Sequence, residues 1–298
     1  MKLPLEATIA GGYRFFFTRI VSIVGTLWFP YLLLLALAVG GAWLVLPHAV
    51  FRGDFTDLDV SLMKSAPVLT VRLALMLCGL VAAAMVAVGL MRLALGLKQT
   101  PTFVWFSLGL PVWRMVGAKL LATVILVLLF ILLVLIGVGI GFAAYPHMQP
   151  SAGVTVIALA SLLLFFVFVY SAVRLCFFLP AVVVAENRIG LGRSWQLGGG
   201  NFWRIFIVWL LVAVPVWFVV GIVLQSTILP VLMAELLRLP HHPTPEEIKP
   251  LLQSVWHMLP VVFPVMLLAG IVFRAVMAGA AGTAYNAVTA AKEDSAST

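Results

Sequence analysis

The sequence predicts an all-helical integral membrane protein of six transmembrane helices, arranged as three hairpins, each preceded by a cytoplasmic interfacial amphipathic helix. Three observations carry that prediction. Of the 298 residues, 64% are hydrophobic and only 9% charged, with a mean hydropathy of +1.19, whereas soluble chains carry about 25% charged residues. Six apolar runs exceed the roughly 20 helical residues needed to cross about 30 Å of hydrocarbon. Basic residues collect at alternate ends of those runs. Segments such as 121–141 are apolar on every side with no period of two, which argues against a transmembrane β-barrel.

The elements follow in order. Residues 5–19 mix Phe, Tyr and Arg with Gly and are too polar to cross, so they predict an interfacial helix. The first span, 20–46, is far longer than the about 7–15-residue core of a signal peptide, and an uncleaved helix is expected. The second span covers 67–96. A further interfacial segment, 101–114, leads into the third span, 115–144, and the fourth follows at 153–184. Residues 188–204 form the last interfacial segment, before the fifth and sixth spans at 203–234 and 251–289. The excess length predicts tilt, interfacial extension, or kinks at Pro30, Pro180, Pro215, Pro260 and Pro264. The proline-rich connection 236–250 is expected as a stiff, turn-rich loop, and 291–298 as a frayed polar tail.

Orientation comes from the charges. Lys2, Arg14, Arg19, Arg92, Lys98, Arg114, Lys119, Arg188, Arg193, Arg204 and Lys292 fall on one face, against Arg52, Lys64, Arg238 and Lys249 on the other. The first face should be cytoplasmic and hold both termini, with the bacterial inner membrane as the expected location. The net charge of +8 is spread along membrane edges, which points to anionic lipid headgroups rather than nucleic acid. Cys78 and Cys176 both lie inside spans, so no disulfide framework is expected and they read as small core hydrophobes.

A pattern recurs along the single membrane domain, 1–298. Each even-numbered span carries an arginine near its cytoplasmic end, in Gly89-Leu-Met-Arg92, Ser171-Ala-Val-Arg174 and Ile271-Val-Phe-Arg274. Each odd-numbered span is preceded by an aromatic–arginine pair, Tyr13-Arg14, Trp113-Arg114 or Trp203-Arg204. Three quasi-repeats are therefore expected, about 1–96, 97–186 and 187–290, related through an axis along the membrane normal. Small-residue pairs four apart, such as Gly79 with Ala83, Gly137 with Gly141, Ala275 with Gly279 and Ala278 with Gly282, predict close helix contacts.

The stretch Arg193-Ser-Trp-Gln-Leu-Gly-Gly-Gly-Asn-Phe-Trp-Arg204, with Arg174-Leu-Cys-Phe-Phe-Leu-Pro-Ala and Glu186 before it, resembles the hallmark of a bacterial six-span group. That group includes the membrane module preceding the catalytic domain of some glycerophosphodiester phosphodiesterases and its stand-alone relatives. The resemblance is sharpest over about 170–215. No catalytic domain lies within these 298 residues, so it implies a stand-alone inner-membrane module and not phosphodiesterase activity. Read from its residues alone, the stretch offers a glycine break, Asn201 as an N-cap, and Trp203 and Arg204 as interfacial anchors. The helix start beside Arg193 and Arg204 could also cradle a phosphate.

Catalytic chemistry is sparse. No phosphate-binding glycine loop, nucleophile elbow or zinc-protease motif occurs, and the spans hold none of the buried carboxylates typical of proton-coupled carriers. No cofactor is expected, and the protein reads as non-enzymatic. Arg92, Arg174 and Arg274 face a shortage of carboxylates, since Glu186 and Glu6 are the acids near their level. They read either as ordinary snorkelling anchors or as a ring of guanidiniums that binds phospholipid headgroups, assisted by Arg114, Arg193, Arg204, Asn201 and Trp203. Arginines facing a cavity instead would favour transport of a small anion or lipid-like solute. A weaker candidate is an external metal or pH-sensing site among His241, His242, Glu246 and His257, in a region that also holds His48, His147, Asp54, Asp57 and Asp59. Arg72 is a candidate partner for Asp59. Partner proteins or a homo-oligomer remain open expectations.

Overall fold

The computed structural model describes residues 2–47, 50–51, 65–97, 104–144, 150–237 and 244–297. These form helices α1 (Leu5–Thr18), α2 (Ile20–Val45), α3 (Ala66–Ala94), α4 (Leu110–Ala144), α5 (Pro150–Cys176), α6 (Leu179–Ala185) and α7 (Leu191–Leu197). Then come α8 (Phe202–Val223), a π-helical turn (Leu224–Ile228), α9 (Leu229–Leu236) and α10 (Pro245–Ser297). No strand occurs among the described residues. Six helical stretches are long and apolar enough to cross a membrane: Ile20–Val45, Ala66–Ala94, Leu110–Phe142, Gly153–Ala185, Phe202–Leu236 and Glu247–Ala290. The chain is thus a multi-span membrane protein.

Three of the buried clusters share one layer, and a fourth, around Val50, packs beyond the far end of α2. One cluster joins Leu3, Met91, Phe178, Val182, Leu197, Ile205 and Ala280. A second joins Val88 of α3, Met115 of α4 and Leu179 of α6. A third joins Ile23 and Leu27 of α2 to Leu90 and Ala275. The starts of α2, α4 and α8 therefore meet the ends of α3 and α5 and the second half of α10, so successive spans alternate in direction. We call this layer the base. Away from it the helices expose apolar faces, including Leu128 and Leu135 of α4 and Leu159 and Leu163 of α5. Faces of that extent suit hydrocarbon, not water.

Proline and glycine explain the breaks. The fourth span divides just before Pro180, which lacks an N–H and clashes with the preceding turn, so α5 ends at Cys176 and α6 restarts at Leu179. The π-helical turn directly precedes α9, whose first turn holds Pro230. Pro30, Pro215, Pro260 and Pro264 stay inside continuous helices.

Several expectations change. A helix over the expected 5–19 is present as α1, and Leu3, Thr8 and Gly12 are buried. It packs along α10, where Val276 O lies 2.8 Å from the Cβ that Gly12 lacks and Phe15 covers Gly279. The small-residue pairs of the sixth span thus receive α1, and Gly282 receives Ala94 of α3. Gly137 and Gly141 approach α5 as expected, at Leu164 and Ile157, whereas Gly79 meets nothing. In the described part of 101–114 there is no separate helix. Residues 104–108 are non-helical, and Pro111, pre-organised for a first turn, lets α4 begin at Leu110 with Trp113 and Arg114 inside it.

The expected loop before the sixth span is partly helix. Thr244-Pro245-Glu246-Glu247 is a capping box: the Glu247 carboxylate accepts the Thr244 N–H at 2.7 Å, with proline as the first helical residue. That four-residue pattern was the available sequence signal. At the other end α10 continues through Ser297, because 291–297 contains no glycine or proline to stop it.

Replacing Gly12 by valine should lower stability by about 1–3 kcal/mol through overpacking against a backbone carbonyl. Thermal unfolding in detergent measures this, and an unchanged midpoint would remove α1–α10 docking as a determinant of stability.

Candidate functional site

The three span arginines each meet an aromatic partner of their own. Arg92 at the end of α3 lies 5.8 Å from the centre of the Trp105 ring, and that indole fits because Gly89 has no side chain to strike it. Arg174 donates to the Tyr170 hydroxyl at 2.6 Å and to the Trp195 carbonyl at 2.9 Å. Its guanidinium lies 4.1 Å from the Trp195 ring centre. Arg274 donates to the Tyr31 hydroxyl across the bundle and lies 5.6 Å from that ring. Each stack contributes about 0.5–2 kcal/mol depending on desolvation. The aromatic partners Trp105, Trp195, Tyr170 and Tyr31 were not foreseen, although Tyr170, four residues before Arg174, is a readable helical neighbour.

The stretch 193–204 is a staple. Ser194 is buried and its hydroxyl donates to Leu175 O at 2.8 Å, tying α7 to the end of α5. Gly198 lets α7 approach the Arg174 backbone, where a Cβ would sit 3.3 Å from Arg174 Cα. Gly200 has φ 73°, a left-handed conformation glycine adopts without cost, and it reverses the chain into α8. Asn201 occupies the N-cap position of α8, but its side chain makes no capping bond. Instead its Oδ1 accepts the Leu3 N–H at 2.8 Å, while Arg204 donates to the Leu3 carbonyl. Of the two arginines read as flanking a phosphate cradle, Arg204 is thus engaged by the chain's own N-terminal backbone and Arg193 by Glu186. Trp203 remains 66% exposed and meets Phe202 and Phe206 edge to face.

Glu186 joins three elements. Arg188 and Arg193 form salt bridges to it at 2.5 and 3.1 Å, and the Tyr285 hydroxyl donates to it at 3.2 Å from α10. Partial burial pushes its carboxyl up, but the hydrogen bonds from Arg188, Arg193 and Tyr285 outweigh this and hold it below the usual 4.5. Beside it, Arg114 donates to the Asn187 side chain. These are the salt bridges among the described residues, and none reaches Arg92, Arg174 or Arg274.

Residues of α3, α4, α5, α6, α8 and α10 line a half-open cleft of about 640 Å³, which reaches Met91, Phe177, Ile205 and Ala281 of the base. Its lining is largely aromatic and aliphatic, with two cations, Arg274 and Lys119. Lys119 Nζ donates to Ala83 O at 2.9 Å. Of the three span arginines, Arg274 lines this cavity and Arg92 and Arg174 do not, so the expected ring divides between the base and the interior. Lys119, the fifth residue of the expected third span, was read from the sequence only as one of the cytoplasmic-side basic residues. At the far end, Arg72 lines a separate cleft of about 390 Å³ between α2 and α3.

His241, His242, His48, His147, Asp54, Asp57 and Asp59 lie outside the described residues. Glu246 falls in the first turn of α10 and His257 is exposed further along it. Among the described residues no three His, Cys, Asp or Glu side chains gather as a metal site.

Two substitutions test the staple. Asn201→Ala leaves the buried Leu3 N–H without its acceptor and should cost about 1–3 kcal/mol in detergent unfolding; a neutral result would show that water replaces it. Glu186 titrates lower in the folded chain, so its stabilisation is complete above pH 4.5 and is lost as pH falls through the lowered value. Glu186→Gln should therefore be less stable than wild type at neutral pH, with the gap closing on acidification. A gap independent of pH would remove the carboxylate from that account. Comparison with protein families, curated proteins and solved structures returns no match to this chain.

Proposed function

We propose that the protein is a non-enzymatic, multi-pass protein of the bacterial inner membrane, with both termini cytoplasmic, that binds anionic phospholipid headgroups at its base. In this reading the six spans form three hairpins, α1 and α7 lie at the membrane interface, and the protein serves lipid handling, envelope homeostasis or scaffolding. The observation that carries it is the charge of the base. Arg92 and Arg174 rest on neutral aromatic rings and carbonyls, and Arg114 on an amide. The carboxylate of Glu186 is already shared by two other arginines. A guanidinium stacked on a ring keeps its charge and spare N–H donors, and phospholipid phosphate is the anion available at that depth. Exposed Trp113 and Trp203 support an interfacial position for the same layer. The resemblance over 170–215 to the membrane module of glycerophosphodiester phosphodiesterases supports a lipid setting.

A second reading is favoured by one observation. Arg274 and Lys119 line an interior cavity, which suits passage or capture of a lipid-like anion.

Native mass spectrometry of the full chain in mild detergent tests the first reading. Wild type should retain anionic phospholipid, and Arg92→Ala with Arg174→Ala should reduce it by about tenfold, roughly 1.4 kcal/mol. The matching lysine variants, which keep the charge, should retain most of it if the fold is intact. Equal retention by wild type and the alanine variants would sink the headgroup site.

A further inference from the structure

The interior cavity has a chemistry distinct from that of the base. Its walls run along α5 from Phe165 to Cys176, about 17 Å of helix at 1.5 Å per residue. Across from them stand Trp209 of α8 and Met277 of α10. Two cations, Lys119 and Arg274, line this apolar space. Lys119 is satisfied by the Ala83 carbonyl and Arg274 by the Tyr31 hydroxyl and ring. All of these partners are neutral. Neither cation has a salt-bridge partner among the described residues, and a charge facing apolar walls is strongly favoured by a counter-charge. The cavity is therefore complementary to a molecule that is apolar over most of its length and anionic at one place.

Size narrows the class. A methylene fills about the 30 Å³ share of a water molecule, so a chain of about 16 carbons needs about 480 Å³. That fits within about 640 Å³ and leaves room for a small head. One such chain therefore fills most of the cleft.

We propose that this cavity binds a single-chain anionic amphipath, with its carboxylate or phosphate head met by Lys119 and Arg274 and its acyl chain along the aromatic wall of α5. The inference rests on the reading that the protein binds anionic lipid, and adds to it an interior site with its own ligand class.

The test uses the full chain in phosphatidylcholine nanodiscs, which avoids competition from single-chain detergent. The probes are palmitate, lysophosphatidic acid, lysophosphatidylcholine and dioleoyl phosphatidylglycerol. Cys176 lines the cavity and is exposed, so its alkylation rate in a Cys78→Ser background reports occupancy. Palmitate, lysophosphatidic acid or both should bind and slow alkylation about tenfold, which also tells a carboxylate head from a phosphate head. Lys119→Met and Arg274→Met should each weaken binding by about tenfold, roughly one charge-assisted contact, and Lys119→Arg should keep it. Equal protection by lysophosphatidylcholine, or no effect of the methionine variants, overturns the role of the two cations. Equal protection by phosphatidylglycerol overturns the single-chain assignment. If neither single-chain anion binds while wild type still retains phosphatidylglycerol in native mass spectrometry, this inference fails and the base reading stands. Loss of both observations sinks both.

Discussion

A guanidinium at the edge of a hydrocarbon layer has to be met by something, and this chain has few carboxylates to offer. Its ten acids face eighteen lysines and arginines, and the one acid that forms salt bridges among the described residues engages Arg188 and Arg193. The span arginines are met by rings, hydroxyls and carbonyls instead. Aromatic faces attract a cation without themselves needing desolvation as ions, so they avoid the penalty that makes buried salt bridges expensive. Much of the base follows from that substitution. Trp105 is drawn over Gly89 to reach Arg92, and α7 is drawn against α5 so that Trp195 can cover Arg174.

The stapled base also explains the asymmetry of the bundle. α7 is only seven residues long and would not be stable alone, yet Ser194, Arg174 and the close approach at Gly198 hold it in place. The N-terminal strand of the chain is fixed to the same point through Leu3, Asn201 and Arg204. The first residues and the start of the fifth span are thereby joined. Away from the base the helices rely on apolar side chains that hydrocarbon solvates as well as protein does, and they pack more loosely around the interior cavity.

For function, the division of the cations matters more than their number. Those of the base face the layer where headgroups lie and are braced by aromatic rings, which suits contact with a surrounding bilayer. Lys119 and Arg274 line a half-open apolar cleft, which under the proposal takes up one molecule. On the proposed readings, a single chain would offer two kinds of anion recognition on the same six helices, one at the base and one at the cleft.

How much of this was legible in the sequence follows from the physics of each feature. Hydropathy determined the six spans, because about 20 apolar residues in a row have few other stable uses, and their bounds agree within a few residues except at the ends of the sixth. There the capping box of Thr244 and Glu247 and the uninterrupted helix formers after Ala290 extend α10 beyond the apolar run. Local composition also marked 193–204 as special, since three glycines between polar and aromatic residues cannot continue a helix. What that stretch binds was decided elsewhere. Leu3 lies 198 residues before Asn201, and Tyr31 lies 243 residues before Arg274, so no local pattern could pair them. Sequence alone determined which residues lie in the membrane and which cations lack acids. Tertiary structure alone decided which ring meets each arginine and which cations face the cavity, because those partners are brought together only by packing of distant helices.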